Sequence, residues 1–228
     1  MTALVFALAF PAQPTVDSRP LVWVADGAGG LGGCSGSLSK ANALCANSVE
    51  LRQFYWSHGS YRVIRDQTDR GHSVAQGAKL AEEILARQKC EPGRRVVLVA
   101  HSAGSMVALA AAEKLPAGTL DRIVLLAPSV SSGYDLAPAL AATREGIDVF
   151  CSHKDRATLG VGVRIVGTAD RGSGRAAGRF GFCATECARV RHHWWTPDLR
   201  ATGNTGGHTG AYAPAFAVAH LFPLLGAK

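Results

Sequence analysis

Charge is scarce in this 228-residue chain: Asp, Glu, Lys and Arg make up 18% of it, against about a quarter of an average domain. With 47% hydrophobic residues, that scarcity excludes wholesale disorder and a charge-driven tail, and leaves enough apolar side chains for one ordinary core. Aromatics are few, at 7%, and form no RNA-stacking signature. No apolar run reaches the roughly 18 residues of a spanning helix, so no transmembrane segment is expected. Zinc-finger spacing and heptad seams are missing as well. The surplus of 24 Lys plus Arg over 17 Asp plus Glu, a net charge of +7, is therefore read as a basic surface and not as a nucleic-acid site, because the basic residues are scattered in ones and twos.

Residues 1–20 stand apart from a main domain over 21–228. Ala3 to Phe10 (ALVFALAF) is an uninterrupted apolar run without a basic flank. It fits either the hydrophobic part of a signal peptide or a buried strand. The six cysteines (34, 45, 90, 151, 183 and 187) are an even number, which suits disulfides in a secreted or periplasmic protein, with cytoplasmic residence the other reading. Two local bridges are expected, Cys34 with Cys45 and Cys183 with Cys187. Zinc on the latter pair with His192 and His193 is the alternative, and it lacks a second Cys pair at zinc spacing.

Short apolar runs recur at Leu21 to Ala25, Gln53 to Trp56, Val96 to Ala100, Ile123 to Ala127, Ile147 to Cys151 and Val163 to Val166, the pattern of strands buried on both faces. Helical patterns fall at Ser73 to Gln88, Ala103 to Leu115, Asp135 to Arg144 and Tyr212 to Leu225, the last with a kink near Pro223. Alternating strands and helices predict a three-layer α/β fold with a mostly parallel sheet, and ligands in such sheets bind beyond the carboxyl ends of the strands.

At that edge, Val96 to Ala100 runs into Ala100-His101-Ser102-Ala103-Gly104 and then a helix. This is a small-x-Ser-x-small elbow with Ala in place of the first Gly. The small residues let neighbouring backbone pass close, and the turn presents Ser102 Oγ at a helix N-terminus. A serine becomes nucleophilic only when a histidine takes its proton and a carboxylate fixes that histidine. His208, in the loop Gly206-Gly207-His208-Thr209-Gly210, and Asp155, a short turn after Ile147 to Cys151, follow in the chain order serine, acid, histidine. Asp170 is the rival acid, Asp148 is read as structural, and His220 as a helical surface or packing residue. An oxyanion needs two N–H donors. Ala103 supplies one, and Ala28 or Gly27, in Asp26-Gly27-Ala28-Gly29-Gly30, the other. Those glycines would suit a phosphate only with a lysine motif that is not there. Trp56 and His58, after another strand, are candidates to line the pocket, with packing as the other reading. The long stretch from Arg171 to Gly207 is expected to cover or border it.

Taken together, the elbow around Ser102, Asp155, His208 and the Gly27-Ala28 loop make the chain similar to the α/β-hydrolase superfamily, in size and organisation most like compact serine esterases and lipases of cutinase size without a cap domain. The usual first two strands would be absent or reduced to Leu4 to Phe10. The resemblance implies hydrolysis of a small-molecule carboxylic ester through an acyl-enzyme, with no metal and no organic cofactor. Thioesterase, amidase or acyltransferase chemistry would use the same residues. A catalytically silent binding protein on the same fold is the alternative from another class. The oligomeric state is left open.

Overall fold

The strands are built from β-branched and Leu-rich runs whose alternate side chains turn to opposite faces, so both faces of the sheet need a cover. The computed structural model, which describes residues 17–46, 48–172, 174–183 and 188–226, places six such strands in one sheet: β1 (Leu21–Ala25), β2 (Glu50–Phe54), β3 (Val96–His101), β4 (Arg122–Leu126), β5 (Ile147–Cys151) and β6 (Val190–Trp194). Their order is β2-β1-β3-β4-β5-β6 and every pairing is parallel. Val22, Val24, Val97, Val99, Val124 and Leu126 face one layer, formed by α1 (Gly33–Asn42) and a helical run over 214–225 that contributes Phe216, Leu221 and Phe222. Trp23, Leu98, Ile123, Leu125 and Val149 face the other, formed by α3 (Arg70–Cys90), α4 (Gly104–Ala112) and α5 (Ala137–Ala141). The short helix α2 (Val63–Thr68) precedes α3.

Strand order reverses between β1 and β3. The loops leaving their carboxyl ends therefore diverge to opposite faces and open a crevice between them, the usual ligand position in such sheets. The Gly27-Ala28 loop leaves β1 and Ser102 leaves β3, so the two sequence features meet where the topology opens the sheet.

Three expectations are corrected. Val163 to Val166 is not a strand but α6 (Val163–Val166), continuing a wide helical turn at Ala157–Gly162. The sixth strand is instead the polar Val190–Trp194, because buried Asp148 on β5 binds Arg122 and takes hydrogen bonds from Arg191 Nη2 at 2.7 Å and His193 Nε2 at 2.7 Å. Those partners hold the Asp148 carboxyl far below its ordinary range in spite of burial, which acts in the opposite direction. The expected Cys34–Cys45 bridge is not formed, and both are free thiols. Cys34 lies in the first turn of α1 and Cys45 beyond its last, about 12 Å or more apart at 1.5 Å per residue, where a disulfide needs Cα atoms within about 7 Å. Cys187, and with it the second bridge, lies outside the described residues, as does the apolar run at 3–10. The remaining helices sit close to their expected places. The final run widens at Ala217–Leu221 just before Pro223, where proline removes a donor.

Between α3 and α4 the backbones nearly touch: a Cβ on Gly77 would lie 2.7 Å from Ala110 Cβ and 2.9 Å from Val107 O. Gly77→Val is expected to force the helices apart and lower the unfolding free energy by about 3 kcal/mol. Gly36→Ala, on the exposed side of α1 with nothing within 4 Å, is expected to raise it by about 0.5 kcal/mol. Urea unfolding of the two variants beside wild type reads both signs.

Candidate active site

Ser102 occupies a position that an L-residue adopts only under constraint, with φ of 51°. Its N–H donates to Leu126 O at 3.1 Å, and its carbonyl accepts from Ser105 N and Ser129 N. Two residues on, a Cβ at Gly104 would lie 2.4 Å from both Ala25 O and Asp26 O. Only glycine lets α4 start that close to the end of β1. Ala100, at the position two before the serine, is fully buried and fits without the glycine usual there.

Ser102 Oγ lies 2.8 Å from His208 Nε2, and His208 Nδ1 lies 2.6 Å from Asp155 Oδ2. Asp155 is 3% exposed, and its Oδ1 accepts the Leu159 N–H. With Nδ1–H donated to the carboxylate, Nε2 is the free acceptor facing the serine hydroxyl. Asp170, the other candidate acid, is engaged elsewhere, accepting Ser131 N at 2.9 Å and Ser131 Oγ at 2.6 Å.

The histidine loop is held from several sides. Ser152 Oγ donates to Gly206 O at 2.6 Å, and Trp195 Nε1 donates to Asn204 O at 2.8 Å. Gly206, at φ 82°, leaves no space for a Cβ, which would meet the Trp195 ring at 2.8 Å. From beneath, His101 Nε2 donates to the His208 carbonyl at 3.0 Å. Burial, then the neighbouring His208, pulls His101 down to about 3. It therefore stays neutral beside the His208 imidazole.

Opposite, no backbone hydrogen bond among the described residues occupies the N–H of Ala103 or Ala28. The loop carrying Gly27 and Ala28 is braced at both ends by buried carboxylates. Asp26 Oδ1 accepts Cys34 N and Ser35 N, and its Oδ2 accepts Gln53 Nε2. Asp66 accepts Gly29 N at 2.7 Å, Ser57 Oγ at 2.6 Å and His58 N at 2.9 Å. Burial alone would raise the Asp66 carboxyl, but these donors hold it below its ordinary value. Sequence reasoning missed Asp66, since a single acid in a mostly polar turn carries no motif. Gly27 is pressed against His101, where a Cβ would come within 2.8 Å of Nδ1.

A cavity of about 310 Å³ opens onto Ser102 and His208, walled by Leu31, Val63, Ile64, Leu159, Val163 and Val166. Gln67 and Ser129 also line it, and Gln67 donates to Gly167 O and accepts from Ser129 Oγ. Trp56 and His58, expected to line the pocket, do not border it. Trp56 is 2% exposed and donates Nε1 to Asp26 O, and His58 is bound to Asp66. The wall facing α2 comes from residues 158–166 rather than from the stretch after Arg171. Among the described residues no cluster of side chains suited to a metal ion is found, and no helix is long and apolar enough to cross a membrane.

Residues 41–178 match the family described as an alpha/beta hydrolase of unknown function, DUF900. The chain belongs to this family. The stretch that matches holds Ser102 and Asp155. Ala28 and His208 lie outside it, so their part in this α/β hydrolase is read from position alone. Comparison with curated proteins gives no match. Among solved structures, an uncharacterised protein from Capnocytophaga ochracea is 11% identical over 91% of this chain and 57% of its own, with a TM-score of 0.53. Trichoderma reesei cutinase, in complex with a phosphonate inhibitor, is 19% identical over 92% and 78%, TM-score 0.43. A cutinase-like protein from Cryptococcus sp. is 14% identical over 94% and 99%, TM-score 0.45. At 11% identity the likeness to the Capnocytophaga protein is one of fold alone.

The buried neutral His101 has a pH signature. Its folded pKa lies below the unfolded value, so the unfolded chain binds the extra proton, and the stabilisation present above about pH 6.5 is lost as pH falls toward 3. His101→Gln, which keeps a donor and cannot titrate, is expected to lose about 5 kcal/mol less between those limits than wild type does. Unfolding free energies across that range, measured for both proteins, check the sign.

Proposed function

We propose that this α/β hydrolase is a serine hydrolase that cleaves carboxylic esters through an acyl-enzyme. The observation that carries the reading is the pair of contacts at His208, 2.8 Å to Ser102 Oγ and 2.6 Å to Asp155 Oδ2, on a serine held at the end of a parallel strand.

In this reading Ser102 Oγ attacks the acyl carbonyl carbon as its proton passes to His208 Nε2, and Asp155 stabilises the imidazolium. The carbonyl oxygen becomes an oxyanion and takes hydrogen bonds from the N–H of Ala103 and of Ala28 or Gly27. Both are preorganised, so no reorganisation is required as charge develops. Collapse breaks the ester C–O bond, and the leaving alkoxide takes the proton from His208. Water then attacks the acyl-serine carbonyl carbon, giving its proton to His208, and the acid departs as Ser102 recovers its hydrogen. The apolar walls favour an acyl chain over a charged group, because burying an unpaired charge among Leu, Ile and Val is costly.

A fluorophosphonate probe is expected to label wild type and not Ser102→Ala. On p-nitrophenyl esters, His208→Ala and Asp155→Asn are expected to lower kcat by roughly 10³–10⁴, with activity rising from acetyl to longer acyl groups that fill the cleft. Equal labelling of Ser102→Ala, or wild-type rates in Asp155→Asn, would overturn the assignment.

A further inference from the structure

The mouth of the cleft exposes large apolar side chains that the chemistry at Ser102 does not require. Tyr61 is 80% exposed, Ile165 78%, Ile64 68% and Leu31 59%. Leu31, Val63 and Tyr61 come together around Gly29, and Ile64 follows Val63 on α2. A Cβ on Gly29 would sit 2.8 Å from Val63 Cγ2 and 3.9 Å from both Leu31 Cγ and Tyr61 Cα. Across the opening, Ile165 lies on α6 between Val163 and Val166, which both line the cavity. A contiguous apolar patch at a site entrance marks an interaction surface.

The charge around that rim has one sign. In the stretches 27–33, 57–70 and 153–171, the carboxylates are all engaged. Asp66 and Asp155 are buried, Asp69 caps α3 and meets His58, and Asp170 is held by Ser131. Arg62, Arg65 and Arg156 are exposed there. The first two lie within one helical turn of Val63 and Ile64, and the third adjoins the wall formed by residues 158–166. An apolar rim inside a basic collar complements a layer with anionic headgroups and apolar chains beneath them. Because Leu31, Val63 and Ile64 belong to both the exposed patch and the cavity lining, an occupant of the patch that also delivers the group that enters fits better than a folded acidic protein, which would only plug the opening.

We infer that this face docks on an anionic lipid surface and that the ester reaches Ser102 from that surface. The identity of the cargo rests on the hydrolase reading; the docking does not. The test is co-sedimentation of the full chain with vesicles of phosphatidylcholine alone and of phosphatidylcholine mixed with phosphatidylglycerol. Binding is expected only to the mixed vesicles, and to weaken with salt. It should fall about thirtyfold in Arg62→Gln/Arg65→Gln, at about fivefold per basic residue near an anionic surface, and at least about tenfold in Ile64→Ser/Ile165→Ser. The melting temperatures of both double variants report that they fold. Ser102→Ala should bind as wild type does. Equal binding to both vesicles, no binding to either, undiminished binding by folded variants, or binding to soluble polyglutamate as tight as to mixed vesicles would each overturn docking. Loss of fluorophosphonate labelling, with vesicle binding intact, would instead overturn the hydrolase reading alone.

Discussion

The site depends on one close approach, that of the first residue of α4 to the end of β1. A Cβ at Gly104 would stand 2.4 Å from the carbonyl oxygens of Ala25 and Asp26, well inside any tolerable contact. Because glycine is there, β3 can turn directly into a helix that abuts the neighbouring strand, and the turn is so tight that Ser102 takes a left-handed backbone conformation. The same approach brings the β1 loop against the serine turn, where a Cβ on Gly27 would lie 3.4 Å from Ser102 Cβ. Ser102 and the loop proposed to supply an oxyanion donor are thus placed by a single packing constraint.

The other parts of the site are tied to that point by buried carboxylates. Asp26 and Asp66 hold the two ends of the β1 loop, and Asp155 holds the histidine ring. Asp26 and Asp66 each accept from two backbone N–H groups and Asp155 from one, and each also binds a polar side chain. Charge-assisted bonds of this kind are stronger than neutral ones, and a buried carboxylate left without them would cost more than it gained. Asp148 follows the same rule on β5 without any part in the cleft, and in doing so recruits Arg191 and His193 into an otherwise unpromising edge strand. His101 differs, being buried without a carboxylate and kept neutral. A charged residue in its place would oppose protonation of His208.

Much of this was legible in the sequence, unevenly and for physical reasons. The strands ending at Ala25, His101, Leu126 and Cys151 are buried on both faces, so their composition reports them directly. The elbow is legible because its geometry restricts residue type at fixed offsets, and the chain order of Ser102, Asp155 and His208 follows from the strands that carry them. β6 was hidden because its polar residues answer to a single buried acid far away in sequence, and Val163–Val166 was misread because a short β-branched run forms a strand only where a sheet edge is free to take it. Trp56 and His58 stand at the right edge of the sheet but turn inward, to Asp26 O and Asp66. Which way a loop side chain turns depends on partners that local sequence does not name.

The walls of the cleft have a different relation to the fold from the groups that surround the serine. Leu159 and Val163 pack with Ala127 and Ala176 in a small cluster separate from the two main cores, while Ala103 and the rest of α4 belong to the largest one. A substitution in the main core strains the elbow, because close-packed interiors transmit displacement. One in the small cluster bears first on the cavity wall, and through the Leu159 N–H on Asp155. Residues 158–166 also contain glycines at 160 and 162 and are followed by Gly167, whose carbonyl accepts from Gln67 on α2. The turn that holds Ser102 is therefore set by the main core, and the cleft wall at Leu159 and Val163 by a small cluster of its own.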